Sequence, residues 1–127
     1  MTRAGERTGR AGEDIARRHL EAKGYRIVAR RYRTRTGELD IVASLGGILV
    51  FAEVKVRRRA CYGSPAEAVG TSKQERLARA AAQFLAEHPD GRAASDAFCR
   101  FDVIAITWPL GGEPKVDHIE DAFRPAP

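Results

Sequence analysis

The chain has 127 residues, 43% of them apolar and 31% charged, which is length and composition for one globular domain with its own core, and excludes a disordered tail. Its two cysteines stand outside any CxxC or Cys/His cluster, which excludes a disulfide framework and argues against a zinc module. The absence of an apolar run near ~18 residues excludes a spanning helix, and the N-terminal segment lacks the apolar core of a signal peptide, so a reduced cytoplasmic protein with no membrane partner is expected. Lys plus Arg is 22 against 17 for Asp plus Glu, a net charge of +5, with a sequence pI near 9.7. The surplus is uneven: residues 1–36 hold eleven basic and four acidic side chains, 37–70 hold four of each, and 71–127 hold seven and nine. A basic N-terminal third fits a polyanionic partner, nucleic acid first, with a solvated arginine-rich surface as the alternative.

Ile15, Ala16, Leu20 and Ala22 fall on one face of a helix over about 10–23, with Thr8 or Gly9 as its cap and Gly24 as its end. Tyr25–Arg33 reads as a strand with a basic outer half. Two further β-rich runs, about 38–45 and 48–56, flank Gly46-Gly47, a pair suited to a tight hairpin turn that needs positive φ. Ser64-Pro65-Ala66-Glu67 has the spacing of a capping box and predicts a short helix. Ser72 and Glu75 repeat that spacing ahead of a long helix over about 73–87, with His88-Pro89-Asp90-Gly91 as its stop. Arg100–Thr107 reads as a buried strand and Lys115–Ile119 as a last short one. The order predicts a single α/β domain with a mixed sheet, its core over 9–123 and both ends frayed.

A two-residue turn at Gly46-Gly47 pairs Leu45 with Ile48, and the same register sets Asp40 opposite Glu53 and Glu38 opposite Lys55. Alternation puts all four on one face. Facing carboxylates at ~5 Å repel by roughly 3 kcal/mol at an effective dielectric near 20. A proton on one of them, a nearby Lys55 or arginine, or a shared divalent cation relieves that repulsion. Hard Mg²⁺ or Mn²⁺ takes one or two carboxylates plus water and phosphate oxygens, and Lys55 stands beside such a site, placed to orient water or counter charge on a phosphate. A solvated sheet face is the competing reading. Against it, Val42 and Phe51 make the charged side apolar elsewhere, so the hairpin reads as covered on both faces, with its charges gathered at one end. A three-residue turn would put Asp40 and Glu53 on opposite faces.

Asp40, twelve intervening residues, then Glu53-Val54-Lys55 resembles the D…(D/E)xK pattern of the PD-(D/E)XK nuclease superfamily. More narrowly, Gly12-Glu13, Gly24-Tyr25, Gly37-Glu38-Leu39-Asp40, Val50-Phe51-Ala52-Glu53-Val54-Lys55, Pro65-Ala66-Glu67-Ala68-Val69, Lys73 and Arg100-Phe101-Asp102-Val103 resemble the YraN-like family, similar in fold to archaeal Holliday junction resolvases. The resemblance spans about 9–123. It implies a restriction-endonuclease-like αβββαβ core and a metal-dependent endonuclease acting on DNA, branched DNA included, with RNA not distinguished. A nucleic-acid-binding or scaffolding protein with little or no catalysis is the rival. It further implies Mg²⁺ or Mn²⁺ held by Asp40, Glu53, the Val54 backbone carbonyl and a helix-borne Glu13, with Lys55 supporting the attacking water. Resolvases of similar fold act as homodimers, but no interface signal is present in this sequence. The chain departs from the family at Leu39, where the superfamily has Pro, at Arg31-Tyr32, where the family has Asn-aromatic, and at Val56, where it has Thr, a hydroxyl that could hold substrate or water.

Arg57, Arg58 and Arg59 continue the strand that carries Glu53 and are expected to contact phosphates, followed by Arg31, Arg33 and Arg35. Lys73 opens the long helix, where a phosphate is also favoured. Glu38 is expected to orient Lys55 or to bridge it, and Asp102 to pair with Arg100. The three histidines show no ligand spacing, and the cysteines read as apolar fillers.

Overall fold

The structure, a computed structural model, describes residues 3–57, 69–93, 98–108 and 112–125, the side chains of 3–8 and 92–93 excepted. Its elements are α1 (Arg3–Ala22), β1 (Arg26–Arg33), β2 (Glu38–Leu45), β3 (Ile48–Arg57), α2 (Thr71–Glu87), α3 (Pro89–Ala93), β4 (Phe98–Thr107) and β5 (Lys115–Phe123). The expected order is reproduced apart from α3, which begins at Pro89 within the expected stop, and β5, which runs on past Ile119 to Phe123. The helix expected from Ser64 lies outside the described residues, as do Arg58 and Arg59.

Two helix starts differ from expectation. α1 begins at Arg3, so Thr8 and Gly9 lie within it; the strong helix formers Ala4, Glu6, Arg7, Arg10 and Ala11 outweigh a single cap signal. α2 begins at Thr71 behind Gly70, and no side chain caps it. Ser72 therefore sits in its first turn, while the Gln74 amide donates back to the Val69 carbonyl at 2.9 Å.

The five strands lie in the order β1-β2-β3-β4-β5. β1, β2 and β3 form an antiparallel meander. β4 is parallel to β3 and β5 antiparallel to β4. A parallel neighbour requires a crossover, and the segment carrying α2 supplies it. The mixed sheet is covered on both faces, consistent with a restriction-endonuclease-like αβββαβ core. Ala16 and Leu20 of α1 pack on Ile41, Val50, Ala52, Ile104 and Ile106. Leu77, Ala81 and Phe84 of α2 pack on Val42, Leu49, Phe51 and Val103. Val42 and Phe51 thus lie in the same layer as the charges, as the pattern predicts.

The hairpin register is the expected one, from Leu45↔Ile48 to Ile41↔Ala52. Of the two turn glycines, Gly46 takes the left-handed conformation, at φ 58, where a Cβ is disfavoured. Gly12 is required for a different reason. A Cβ on it would lie 2.3 Å from Val56 Cγ2, so only a glycine lets α1 approach β3 this closely. Val56 therefore points into the α1-side core, and a hydroxyl at this position would be packed under the helix rather than offered to a substrate. Among the described residues no helix is long and apolar enough to cross a membrane.

Candidate metal and nucleic-acid site

The β2–β3 ladder ends at Ile41↔Ala52. The next residues along are Asp40 and Glu53, and there the strands part. Val54 N–H donates to Asp40 Oδ2 at 2.9 Å in place of a ladder bond. Leu39 joins Val42 in the α2-side core although Ile41 lies on the other side, so the alternation slips next to Asp40. Opposite this point β1 carries Arg31 at φ 51, a left-handed backbone that a long side chain seldom adopts. Asparagine tolerates that conformation far better, which gives a physical reason for an Asn in its place.

Asp40 and Glu53 open into one cleft of about 400 Å³, lined also by Gly37, Glu38 and Val54 on the sheet and by Lys73, Arg76 and Leu77 on α2. Behind the carboxylates lie Leu39, Phe51, Leu77 and Phe101. That apolar backing disfavours ionisation of Asp40. Burial, then the hydrogen bond and charge of Glu53, push Asp40 up to about 8 against the lowering effect of the Val54 N–H. Glu53 is 5% exposed, and its Oε2 is paired with the Lys73 ammonium. Burial alone would lower Lys73; the hydrogen-bonding contact and charge of Glu53 outweigh it and hold the ammonium above its ordinary value. Lys55 is shifted the other way, down, by burial and then by the neighbouring Lys73.

The remaining expected residues disperse around this centre. Glu13, on α1, lies with both oxygens 3.0 and 3.1 Å from Arg31 Nε; its charge is felt at Asp40, yet among the described residues no group of three acidic, histidine or cysteine side chains is gathered as a metal cluster. Glu38 lies 3.5 Å from Arg33 Nε rather than being matched to Lys55, because the ladder has opened; that arginine is 88% exposed. Arg57 donates from Nε to Thr107 Oγ1 at 3.1 Å and lies 3.9 Å from Asp117, so a phosphate must compete with both. Arg35 turns its backbone N–H to the Gln83 amide at 3.2 Å. Arg76 was not singled out from the sequence, although its spacing of three from Lys73 puts it on the same helix face.

A second polar cluster lies on the α1 side. Asp102 is fully buried and accepts from Arg100 Nε at 2.8 Å, Arg100 Nη2 at 2.9 Å and Asp121 N at 3.0 Å. The expected Arg100 pairing holds. Unforeseen is His118, whose Nε2 lies 2.8 Å from the same carboxylate and whose Nδ1 lies 3.2 Å from His19 Nε2 and 3.2 Å from Lys23 Nζ. Two histidines 99 residues apart in sequence meet here. Burial would raise Asp102, but the bonds from His118, Arg100 and the Asp121 N–H outweigh it and hold the carboxyl below its ordinary range. Cys99, expected as a filler, is exposed.

The architecture and the cleft define a small α/β protein whose facing carboxylates and paired lysines sit at the opened end of a hairpin. The chain belongs to the uncharacterised protein family UPF0102, whose model matches residues 12–106. It is similar to the UPF0102 protein of Frankia casuarinae, 48% identical over 121 residues that cover 95% of this chain and 99% of that one. It is likewise similar to the UPF0102 protein of Symbiobacterium thermophilum, 46% identical over 118 residues, 93% and 97% of the two chains. Among solved structures, Pyrococcus furiosus SfsA in complex with Ca²⁺ is similar at a TM-score of 0.41 and 16% identity, over 91% of this chain and 63% of that one, a likeness from which no shared substrate follows.

Proposed function

We propose that this protein is a metal-dependent nuclease of the PD-(D/E)XK type that hydrolyses nucleic-acid phosphodiesters. The observation that carries this reading is the pair Asp40 and Glu53, held against each other over an apolar floor, with the Asp40 carboxyl pushed up to about 8 by burial and by Glu53. A sheet has no structural use for such a pair, whereas oxygen donors of this kind fit Mg²⁺ or Mn²⁺. Asp40 and Glu53 would hold the ion. The Val54 carbonyl points to the same strand edge as the Val54 N–H that reaches Asp40, and is the candidate for a third protein donor. When bound, the ion supplies Lewis acidity and a water of lowered pKa. Lys55, held below its ordinary value, orients that water or counters charge on the phosphate. Lys73 and Arg76 line the cleft, the exposed Arg33 lies beside its Glu38, and all three offer phosphate contacts.

A binding protein without catalysis is favoured by one observation, the engagement of Glu13 with Arg31 instead of with the carboxylate pair. Incubation of the purified protein with branched DNA, linear DNA and RNA in Mn²⁺ separates the two. Cleavage that is lost in Asp40→Asn and Lys55→Ala is the expected result. Retained binding with no Mn²⁺-dependent cleavage of any of the three overturns the nuclease reading.

A further inference from the structure

Lys73 occupies an unusual position. It sits in the first turn of α2, 35% exposed, on a stem that reaches down to the Glu53 carboxylate. Its ammonium is paired directly with Glu53 Oε2. Arg76 brings positive charge to the same cleft, and Lys55 lies against Lys73 within reach of the charges on Glu53 and Asp40. A divalent ion shared by Asp40 and Glu53 competes with the ammonium on Glu53 Oε2 for the same carboxylate charge, and the two cations repel each other. Lysine is suited to leaving: its charge is a compact, readily hydrated point on a flexible four-carbon chain, and its side chain here is partly open to solvent.

We propose that Lys73 holds the cation's place at Glu53 and is handed over to a nucleic-acid phosphate when a divalent ion binds, so that metal and nucleic acid bind with positive coupling through this one side chain. The idea rests on the reading of Asp40 and Glu53 as the metal-holding pair. The released ammonium lies at the mouth of the cleft beside the N-terminus of α2, where an anion is favoured. Coupling of this kind is reciprocal: the ion tightens nucleic-acid binding by the same factor by which nucleic acid tightens ion binding.

The test measures Mn²⁺ affinity by calorimetry without nucleic acid, and duplex affinity with and without saturating Ca²⁺, which fills similar oxygen donors. It compares the native chain with Lys73→Met and with Arg76→Met, the latter a charge loss in the same cleft that does not touch Glu53. Lys73→Met is expected to bind Mn²⁺ about 10-fold more tightly than the native chain, and to lose most of a Ca²⁺-induced gain of about 10-fold in duplex affinity. Arg76→Met is expected to weaken duplex binding yet keep that gain. If Lys73→Met does not fold, Lys73→Gln, which leaves a neutral donor beside Glu53, is read in its place. Mn²⁺ binding by the native chain, with affinity and coupling unchanged in Lys73→Met or equally altered in Arg76→Met, overturns the exchange while leaving the metal site standing. No Mn²⁺ binding by the native chain removes both.

Discussion

At the scale of single residues, the chemistry concentrates in a carboxylate that the fold makes hard to ionise. Asp40 keeps its proton to about pH 8 in the folded chain, whereas an unfolded aspartate releases it near pH 3.9. Below about pH 4 both states are protonated. Between there and pH 8 only the unfolded chain gives up the proton, so this group's contribution to stability falls as pH rises and levels off above 8. Asp40→Asn keeps an oxygen to accept the Val54 N–H and removes the charge. In chelator it should be more stable than the native chain near pH 8 by about 1–3 kcal/mol, a rise of roughly 3–10 °C in Tm. The advantage should shrink towards pH 4.5, and the Mn²⁺-induced rise in Tm should disappear. Melting curves across pH check this; a constant difference would contradict the placement of the proton. The pairing of Asp40 with Glu53 was legible because period-two alternation and a Gly-Gly turn fix the facing residues. The Lys73–Glu53 contact was not, because nothing in the spacing of 53 and 73 states how the crossover brings α2 back over the sheet.

At the scale of elements, α1 shows what the sequence hid and why. Its length was underread because cap signals compete with summed propensity, but the reason for Gly12 emerges only against Val56. Gly12→Ala should cost ~1–3 kcal/mol by overpacking, and adding Val56→Ala should recover most of it; an unchanged Tm in the single variant would argue against the close approach. The other end of α1 is tied down by His19 and His118. Burial, then Lys23 and His118, hold His19 below its ordinary value. The folded chain thus resists the proton that the unfolded chain takes up near pH 6.5, and stability is lost as pH falls below that point. Native and His19→Gln proteins should therefore diverge between pH 7 and 5, with the variant showing the flatter loss of Tm; superimposable curves would contradict the account. That cluster had no sequence signal, since its members come from α1, β4 and β5, and only the sheet order makes β5 a neighbour of β4.

At the scale of the whole molecule, the expected Lys73 lies at the cleft and the expected Arg33 beside it, and Arg76 joins them. Arg57 is engaged by Thr107 and Asp117 and Arg31 by Glu13, while Lys73 and Arg76 of α2 line the cleft and the exposed Arg33 lies beside its Glu38. If the proposed nucleic acid meets three such side chains, Arg33, Lys73 and Arg76, the slope of log affinity against log salt on duplex DNA should be about −3. Arg33→Ala with Arg76→Ala should flatten it by about 2, and a slope that stays the same would locate the nucleic acid elsewhere. The three-layer fold was legible because each element carries a strong period and clear punctuation, and because the family resemblance orders the same motifs. The convergence of α2 on the hairpin's open end was not, because it is a property of the packed sheet rather than of any segment.

Asp40 and Glu53 are proposed to share one divalent ion. Anomalous diffraction from crystals of the native protein soaked in Mn²⁺ tests it most directly. The account predicts a single strong peak within about 2.0–2.3 Å of an oxygen from each of the two carboxylates, with the Lys73 ammonium moved off Glu53. A peak bound elsewhere, or none at these oxygens at saturating Mn²⁺, would contradict it.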